Sequence, residues 1–572
     1  MMKWHGWGSP NFVFPMDKKP SLWPWIKAKL GVDESIITKP VDRAQIVMPA
    51  PILNAEFVAA IQTVLSPDQI LSGDDDRLLH SYGKSYPDLF RVRRGQIRKA
   101  PDLVLMPQSH EDVEAIVQLA QRHNVCVIPF GGGTNIVGAV DPLENGGRMT
   151  VTLNMQRMYR ILSVDPQSMT ATIEAGALGP QLERDLEKQG FALGHYPDSF
   201  EYSTLGGWIA TRSAGMQSDT YGKIEDMVVA LRFVTPTGTL ATRLTPASSA
   251  GPDLNRLVVG SEGVLGIITQ ATMRVHRSPA IKDYRGFLFR SFREGTAAIE
   301  ECVHNGIPPS MIRLQDEGET ELAFNLKSPK KGLEAFVQKI VKKYLLWKGF
   351  NRPCIMIVGF EGQKPHVKAS STEAFKIFKR CGAFPLGQSV GKTWYADKFN
   401  VPYLRDFVMD YGCMVDVSET AAVWGKLLPL YDGVIAAASE KFARETGKGY
   451  IGCHISHTYR TGACLYFTYA ARQIIGRELE QYNEYKKFVT DTIMRLGGTV
   501  SHHHAIGYEH MPWMEEEVSA TGLRALRGLK HALDPQAICN PGKLIPAEKA
   551  ATVTAAHAAP VRGLSDTSEA QA

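Results

Sequence analysis

The sequence predicts an α+β protein of more than one domain. Residues 101–130 read as strand, helix and strand, and end in a triple glycine, Gly131-Gly132-Gly133. Two later loops rich in glycine or hydroxyls, 194–216 and 260–268, each border a strand or a helix. Beyond about residue 280 such loops stop, and strands alternate with long helices in the manner of a separate α+β unit. At 572 residues the chain can hold two or three domains with large cores.

Residues 1–50 are rich in Trp and Pro. Trp23, Trp25 and Ile26 beside Lys27 and Lys29 suit a membrane interface or an extension packed on the protein's own surface. The second is expected, because Pro24 should interrupt a long amphipathic helix. Residues 51–95 read as helical, completing an N-terminal region over 1–95. From 96 to 279 comes a unit that begins with the strand Asp102–Met106. Its helix, Glu111–Asn124, places Val113, Ile116, Val117 and Ala120 on one face. Val125–Ile128 then leads into the glycines. Met149–Leu153 and Thr170–Glu174 alternate in the manner of strands, and a helix over Pro180–Gln189 closes at Gly190. A cap unit over 280–497 is read from the strands Tyr284–Phe289, Ile355–Phe360 and Ala463–Tyr469. Its helices are Thr372–Lys379, Val423–Glu445 and Gln473–Gly497. A C-terminal segment, 498–546, opens on SHHH and contains a helix over Met514–Leu533. Residues 547–572, rich in Ala, Ser and Thr, read as disordered.

Composition excludes several classes. Apolar content of 44% and charged content of 22% belong to a soluble globular protein. A net charge of +5 is too small to point to nucleic acid. The eight cysteines form no C-x-x-C pair, which excludes iron–sulfur clusters of the usual spacing and suits reduced thiols. No run of 18 apolar residues suggests a spanning helix, and neither a secretory nor a peroxisomal signal is read at the termini. The expected location is cytoplasmic or peripheral to a membrane.

Consecutive glycines let main-chain N–H groups face an anion directly. The dinucleotide fingerprint fails at Ile136, where its third glycine should stand. A P-loop fails at Gly387–Thr393, GQSVGKT, which has three residues between its glycines rather than four and reads as a loop. Three separate loops suit a long cofactor bound in an extended form.

Nine segments in order, among them PFGGGTN, GHYPDSFEYSTLGGW, TRSAGM, GSEGVLGIIT, SMIRLQD, YLRDF, GACLYF and SHHHAIG, carry a family likeness. The chain resembles the vanillyl-alcohol-oxidase (PCMH-type) flavoproteins, and within them the alkyldihydroxyacetonephosphate synthases. The resemblance implies a two-subdomain FAD-binding domain with an α+β cap. By motif matching it places FAD contacts on Pro129, Phe130, Gly131, Gly132, Gly133, Thr134 and Asn135. A second set is Asp198, Ser199, Phe200, Glu201, Tyr202, Ser203 and Thr204, with the Ser203 and Thr204 hydroxyls as donors. The rest are Thr211, Arg212, Ser213 and Ala214, then Glu262, Gly263, Val264, Leu265, Gly266, Ile267 and Ile268. Some relatives attach FAD to a histidine inside the glycine loop. Thr134 and Asn135 stand there instead, so non-covalent FAD is expected.

The resemblance also implies Arg313, Tyr466, His502, His503 and His504 as catalytic residues and Arg405 as substrate-binding. Taken alone, Arg405 beside Asp406 would read as a surface salt bridge. Three adjacent imidazoles have no evident structural use. The implied reaction exchanges the acyl chain of acyl-dihydroxyacetone phosphate for a long-chain fatty alcohol, with no net redox change. A homodimer, possible peripheral membrane contact and no nucleic acid are expected as partners. His454 and His457, in GCHISHTY, depart from the animal synthases and leave an alternative open: an FAD-linked 2-hydroxy-acid dehydrogenase or oxidase. The H-x-G-D-G-N-x-H pattern of metal-dependent relatives is not intact, and no metal is expected.

Overall fold

The computed structural model describes residues 2–307, 309–328 and 332–548. The tail read as disordered lies outside the described residues apart from 547 and 548.

Strand Leu103–Leu105, helix His110–Arg122 and strand Cys126–Phe130 form the expected β-α-β start. Ser109 caps the helix by accepting the Asp112 N–H at 3.1 Å, and the four predicted face residues are fully buried. Strand Thr150–Asn154 lies between the two strands, parallel to both. All five of its residues are buried, so the sequence alternation does not mark an exposed face; parallel strands are covered on both sides. The second sheet is antiparallel, in the order Ile161–Asp165, Thr170–Glu174, Ile267–Arg274, Val228–Thr235 and Gly238–Ala241. Ile538 and Cys539 return to the first subdomain's core, and Cys539 bridges to Val127.

The third sheet has seven antiparallel strands. Their order is Phe384–Gly387, Ile281–Phe289, Cys354–Gly362, Met311–Gln315, Tyr450–Tyr459, Gly462–Arg472 and Cys413–Val423. One set of alternate residues, including Ile312, Leu314, Ile455, Leu465 and Phe467, packs into the largest core. The helices Phe292–His304, Lys364–Arg380, Trp424–Thr446 and Glu478–Arg495 cover it. The intervening residues face the other way.

Two expectations are corrected here. Pro24 stands in the first turn of the helix Leu22–Leu30, where a missing N–H costs no intrahelical bond, so it does not interrupt that helix. Leu22, Ile26 and Leu30 are buried, which gives the expected packing on the protein's own surface. The GQSVGKT stretch is not a loop: Gly387 ends a strand and Gln388–Asp397 is helix. Among the described residues no helix is long and apolar enough to cross a membrane.

Candidate active site

A cavity of about 970 Å³ lies between the glycine loops and the free face of the seven-stranded sheet. Its first wall is backbone. A Cβ on Gly132 would stand 1.5 Å from the Tyr202 carbonyl oxygen. A Cβ on Gly263, at φ +74°, would stand 2.3 Å from Pro129 Cγ. Only glycine permits these approaches, and they draw the three loops together. Pro129–Asn135 line the cavity with Asp198, Ser199, Ser203 and Thr204. Thr211, Ser213, Ala214, Glu262, Gly263, Gly266, Ile267 and Ile268 complete this wall.

The second wall is made of side chains. Gln315 pairs with His454, His454 with Tyr466, and Tyr466 with Glu419, so one row crosses four adjacent strands. Arg313 stands two residues from Gln315 on the same face. Residues three apart on a regular strand point to opposite faces. A bulge between Ile455 and His457 removes that constraint, and both His454 and His457 line the cavity.

Arg313 stands beside a buried pair. His454 Nδ1 lies 2.9 Å from Glu319 Oε2, and the Thr468 hydroxyl donates to Glu319 Oε1 at 3.0 Å. The Arg313 guanidinium is 3.8 Å from the same carboxylate, and its Nε has no hydrogen-bond partner. Burial, then Arg313, pushes the His454 imidazole below its ordinary pKa. Burial alone would raise Glu319; His454, Arg313 and Thr468 outweigh it and hold the carboxyl low. The imidazole stacks on Tyr466, with ring centres 4.8 Å apart. Burial, then Asp198, pushes the Tyr466 phenol well above its usual pKa, so it is protonated at neutral pH.

Arg405 also lines the cavity. It donates to the Lys84 carbonyl at 2.7 Å and keeps a buried Nε without a partner. The Arg405–Asp406 pairing read from adjacency is absent, because Asp406 pairs with Lys3 at 2.8 Å. Arg405 is left to the cavity.

The histidine run is anchored by Glu419. Its carboxylate accepts the backbone N–H groups of His502, His503 and His504 at 2.5, 3.1 and 2.8 Å, and the Ser501 hydroxyl at 2.8 Å. Burial opposes the charge of Glu419. The neighbouring imidazoles and these N–H groups outweigh it and hold the carboxyl well below the usual range. The run therefore has a structural use that its sequence did not suggest. Burial pushes His503 and His504 down to about 3 and about 4, so both are neutral at pH 7 and weak bases. His503 and His504 line the cavity. His502 turns away: its Nε2 lies 2.5 Å from the Tyr459 hydroxyl and its Nδ1 2.9 Å from His503 Nδ1.

Residues 101–243 match the family described as FAD binding domain, and 278–544 that described as FAD linked oxidases, C-terminal domain. The chain is 43% identical to the alkyldihydroxyacetonephosphate synthase of Dictyostelium discoideum over 574 residues, covering 96% of this chain and 94% of that protein. A solved alkyldihydroxyacetonephosphate synthase superposes with a TM-score of 0.83 at 41% identity, covering 95% of this chain and 99% of the other. The chain belongs to the alkyldihydroxyacetonephosphate synthase family. More distant likeness reaches a mitochondrial D-lactate dehydrogenase of Arabidopsis thaliana, 26% identical over 505 residues and covering 86% of this chain and 80% of that protein.

As a member of this synthase family the protein uses FAD, and the cavity fits it. Its volume is at the top of the roughly 300–1,000 Å³ range of small-molecule sites. Gly131–Gly133 line it without a side chain over their N–H groups. Some expected contacts have side chains that face elsewhere. Phe200 stacks on Phe399 at 5.4 Å, Arg212 pairs with Glu225 at 3.1 Å, and Tyr202 meets Tyr403 at 3.1 Å. Val264 and Leu265 are buried in separate cores, and Glu201 is exposed. The Ser203 and Thr204 hydroxyl oxygens accept within their own loop, from Trp208 Nε1 and the Gly207 N–H.

Sequence reading missed Glu319, Glu419 and Tyr459. Glu419 left one signal, an acid in the middle of the strand VDVSETAAV. Glu319 was hidden by its setting, because Asp316-x-x-Glu319 at a helix start reads as a structural cap.

Proposed function

We propose that this protein exchanges the acyl chain of acyl-dihydroxyacetone phosphate for a long-chain fatty alcohol. The products are an alkyl ether and a free fatty acid. One observation carries the reading: Arg313, Arg405, Tyr466, His503 and His504 line one cavity with the glycine loops, in a synthase-family chain matched over 96% of its length. The hydroxy-acid alternative is less supported, resting on relatives near 26% identity.

FAD, held non-covalently by 129–135, 198–204, 211–214 and 262–268, would supply the reactive heterocycle, unchanged in redox state over a full turnover. The chain's own residues do the rest. Arg313 and Arg405 hold the phosphate, whose planar array of oxygens suits a guanidinium fork. Each keeps a buried Nε–H without a protein partner. Tyr466 holds a proton on its phenol oxygen at neutral pH and exchanges it with the substrate's C1. His503 and His504, neutral beside it, assist that exchange by orienting the phenol. His503 lies 6.0 Å and His504 5.4 Å from Tyr466 between ring centres. The division into 96–279 for the cofactor and 280–497 for the cap follows this split of roles. The lipid substrates favour peripheral membrane contact, and a homodimer is the state that light scattering should find.

The test is anaerobic incubation of the yellow protein with palmitoyl-dihydroxyacetone phosphate and labelled hexadecanol. Labelled ether should form without any electron acceptor. Bleaching of the flavin by a hydroxy acid, with no ether, would establish the dehydrogenase instead.

A further inference from the structure

Glu319 touches three groups of the second wall at once. It occupies the first turn of the helix Glu317–Asn325, where the N-terminal dipole favours an anion, and its own N–H donates to the capping Asp316 at 2.8 Å. Its side chain is 6% exposed. It receives Thr468, meets His454 at 2.9 Å and faces Arg313 at 3.8 Å.

His454 Nδ1 is also 3.2 Å from an Arg313 nitrogen. One ring nitrogen cannot donate to Glu319 and accept from Arg313 together. The charged carboxylate is the stronger partner, so Nδ1 carries the proton and donates to it. This fixes the tautomer and the plane of the imidazole. The plane in turn fixes Tyr466, stacked on it within 24° of parallel. The guanidinium is then steered by the charge of Glu319, and its unpartnered Nε is left facing its surroundings.

We propose that Glu319 and His454 are a positioning pair that sets the direction of Arg313 and the plane of Tyr466. The proposal rests on the reading of Arg313 as a substrate cation and Tyr466 as the proton-transfer phenol. The pair acts through those two residues and need not meet substrate itself.

The experiment compares purified holoenzymes of E319Q, H454N, H454L, R313K, Y466F and R313K/E319Q, measuring ether formation as kcat and KM. Flavin content and melting temperature are recorded for each. E319Q should lower kcat by about 10²-fold, as misplacement of a reacting group does, with flavin content unchanged. H454N, whose amide N–H can replace the Nδ1–H, should recover most of what H454L loses. In R313K/E319Q the two losses should combine to less than their product, because part of the effect of the pair runs through Arg313. Wild-type kcat in E319Q, or losses from E319Q and R313K that multiply, would overturn the pair. If R313K and Y466F both turn over at the wild-type rate, the reading of those two residues fails, and the pair fails with it.

Discussion

The two walls of the cavity are built from different material. The glycine-loop wall is largely main chain, and its closest approaches need glycine: Gly132 against the Tyr202 carbonyl, Gly263 against the Pro129 ring. The sheet wall is a row of side chains from four strands, Gln315, His454, Tyr466 and Glu419, set side by side by register. A backbone wall suits a cofactor whose shape is constant. A side-chain wall suits the proton and charge chemistry of a substrate. The difference predicts that damage to one wall should remove the flavin and damage to the other should remove turnover alone.

Tyr466→Phe should have the largest effect. Removing one phenol oxygen from the sheet wall should cut ether formation by about 10²–10⁴-fold, the usual contribution of a proton-transfer group. Flavin content by absorbance should equal that of the wild type. Gly132→Ala is the counterpart on the other wall. Its added methyl cannot coexist with the Tyr202 carbonyl, and overpacking of this kind costs about 1–3 kcal/mol. FAD affinity should weaken by about tenfold to a hundredfold in a flavin titration. Turnover at saturating FAD should stay near the wild-type value. If Y466F loses flavin, or G132A loses only kcat, the two walls are not separable.

The same contrast governs what could be read in advance. Each glycine loop is contiguous in sequence, so its composition announces it. Gly131–Gly133, Thr204 and Gly263 were legible for that reason. The sheet wall is assembled across the chain, and its strands break apolar alternation where the site needs polarity. Met311–Gln315, Cys413–Val423 and Tyr450–Tyr459 went unread as strands; the last two carry Asp416, Ser418 and Glu419, or His454, Ser456 and His457, in their midst. The bulge at Ser456 has no sequence signature at all. Arg313, Arg405 and Tyr466 were found through family resemblance, and their setting became visible only with the fold. Arg405 shows the risk of adjacency: its neighbour Asp406 belongs to Lys3.

Glu419→Gln sharpens the comparison within the sheet wall, because Glu419 uses side-chain oxygens to hold backbone. The three N–H groups of the histidine run and the Ser501 hydroxyl converge on two oxygens. Glutamine keeps one acceptor and turns an NH₂ group toward the remaining N–H donors. Buried donors left unpaired cost about 1–3 kcal/mol each, so denaturant unfolding should show a loss of about 2 kcal/mol. His503 and His504 would lose their fixed positions, and kcat should fall while FAD affinity holds. Loss of flavin with intact kcat would place the histidine loop on the cofactor wall instead.

Asp219→Asn should have the smallest effect, and it tests the seam between the walls. Asp219 lies in the short helix Ser218–Tyr221, just after the loop that carries Ser213 and Ala214, and reaches the sheet wall. Its Oδ1 accepts the Thr458 N–H at 2.8 Å and the Thr458 hydroxyl at 3.0 Å, while Oδ2 has no partner. Burial pushes its carboxyl up to about 7, against the Thr458 hydrogen bonds and a smaller contribution from the Ile312 backbone that lower it. The native state therefore keeps a proton that the unfolded chain releases near pH 4. Its contribution to stability is greatest below pH 4 and declines until the carboxyl is ionised above pH 7. Asparagine keeps the Oδ1 acceptor, puts its NH₂ at the unpartnered oxygen and does not titrate. Between pH 5 and pH 8 the unfolding free energy should shift in favour of D219N relative to wild type. The full pKa difference would give more, but Asp219 as a residue is only half-buried, so about 1–2 kcal/mol is expected. Parallel pH curves for the two proteins would mean that Asp219 is already ionised at pH 5, and that the seam holds by a charged contact rather than a protonated one.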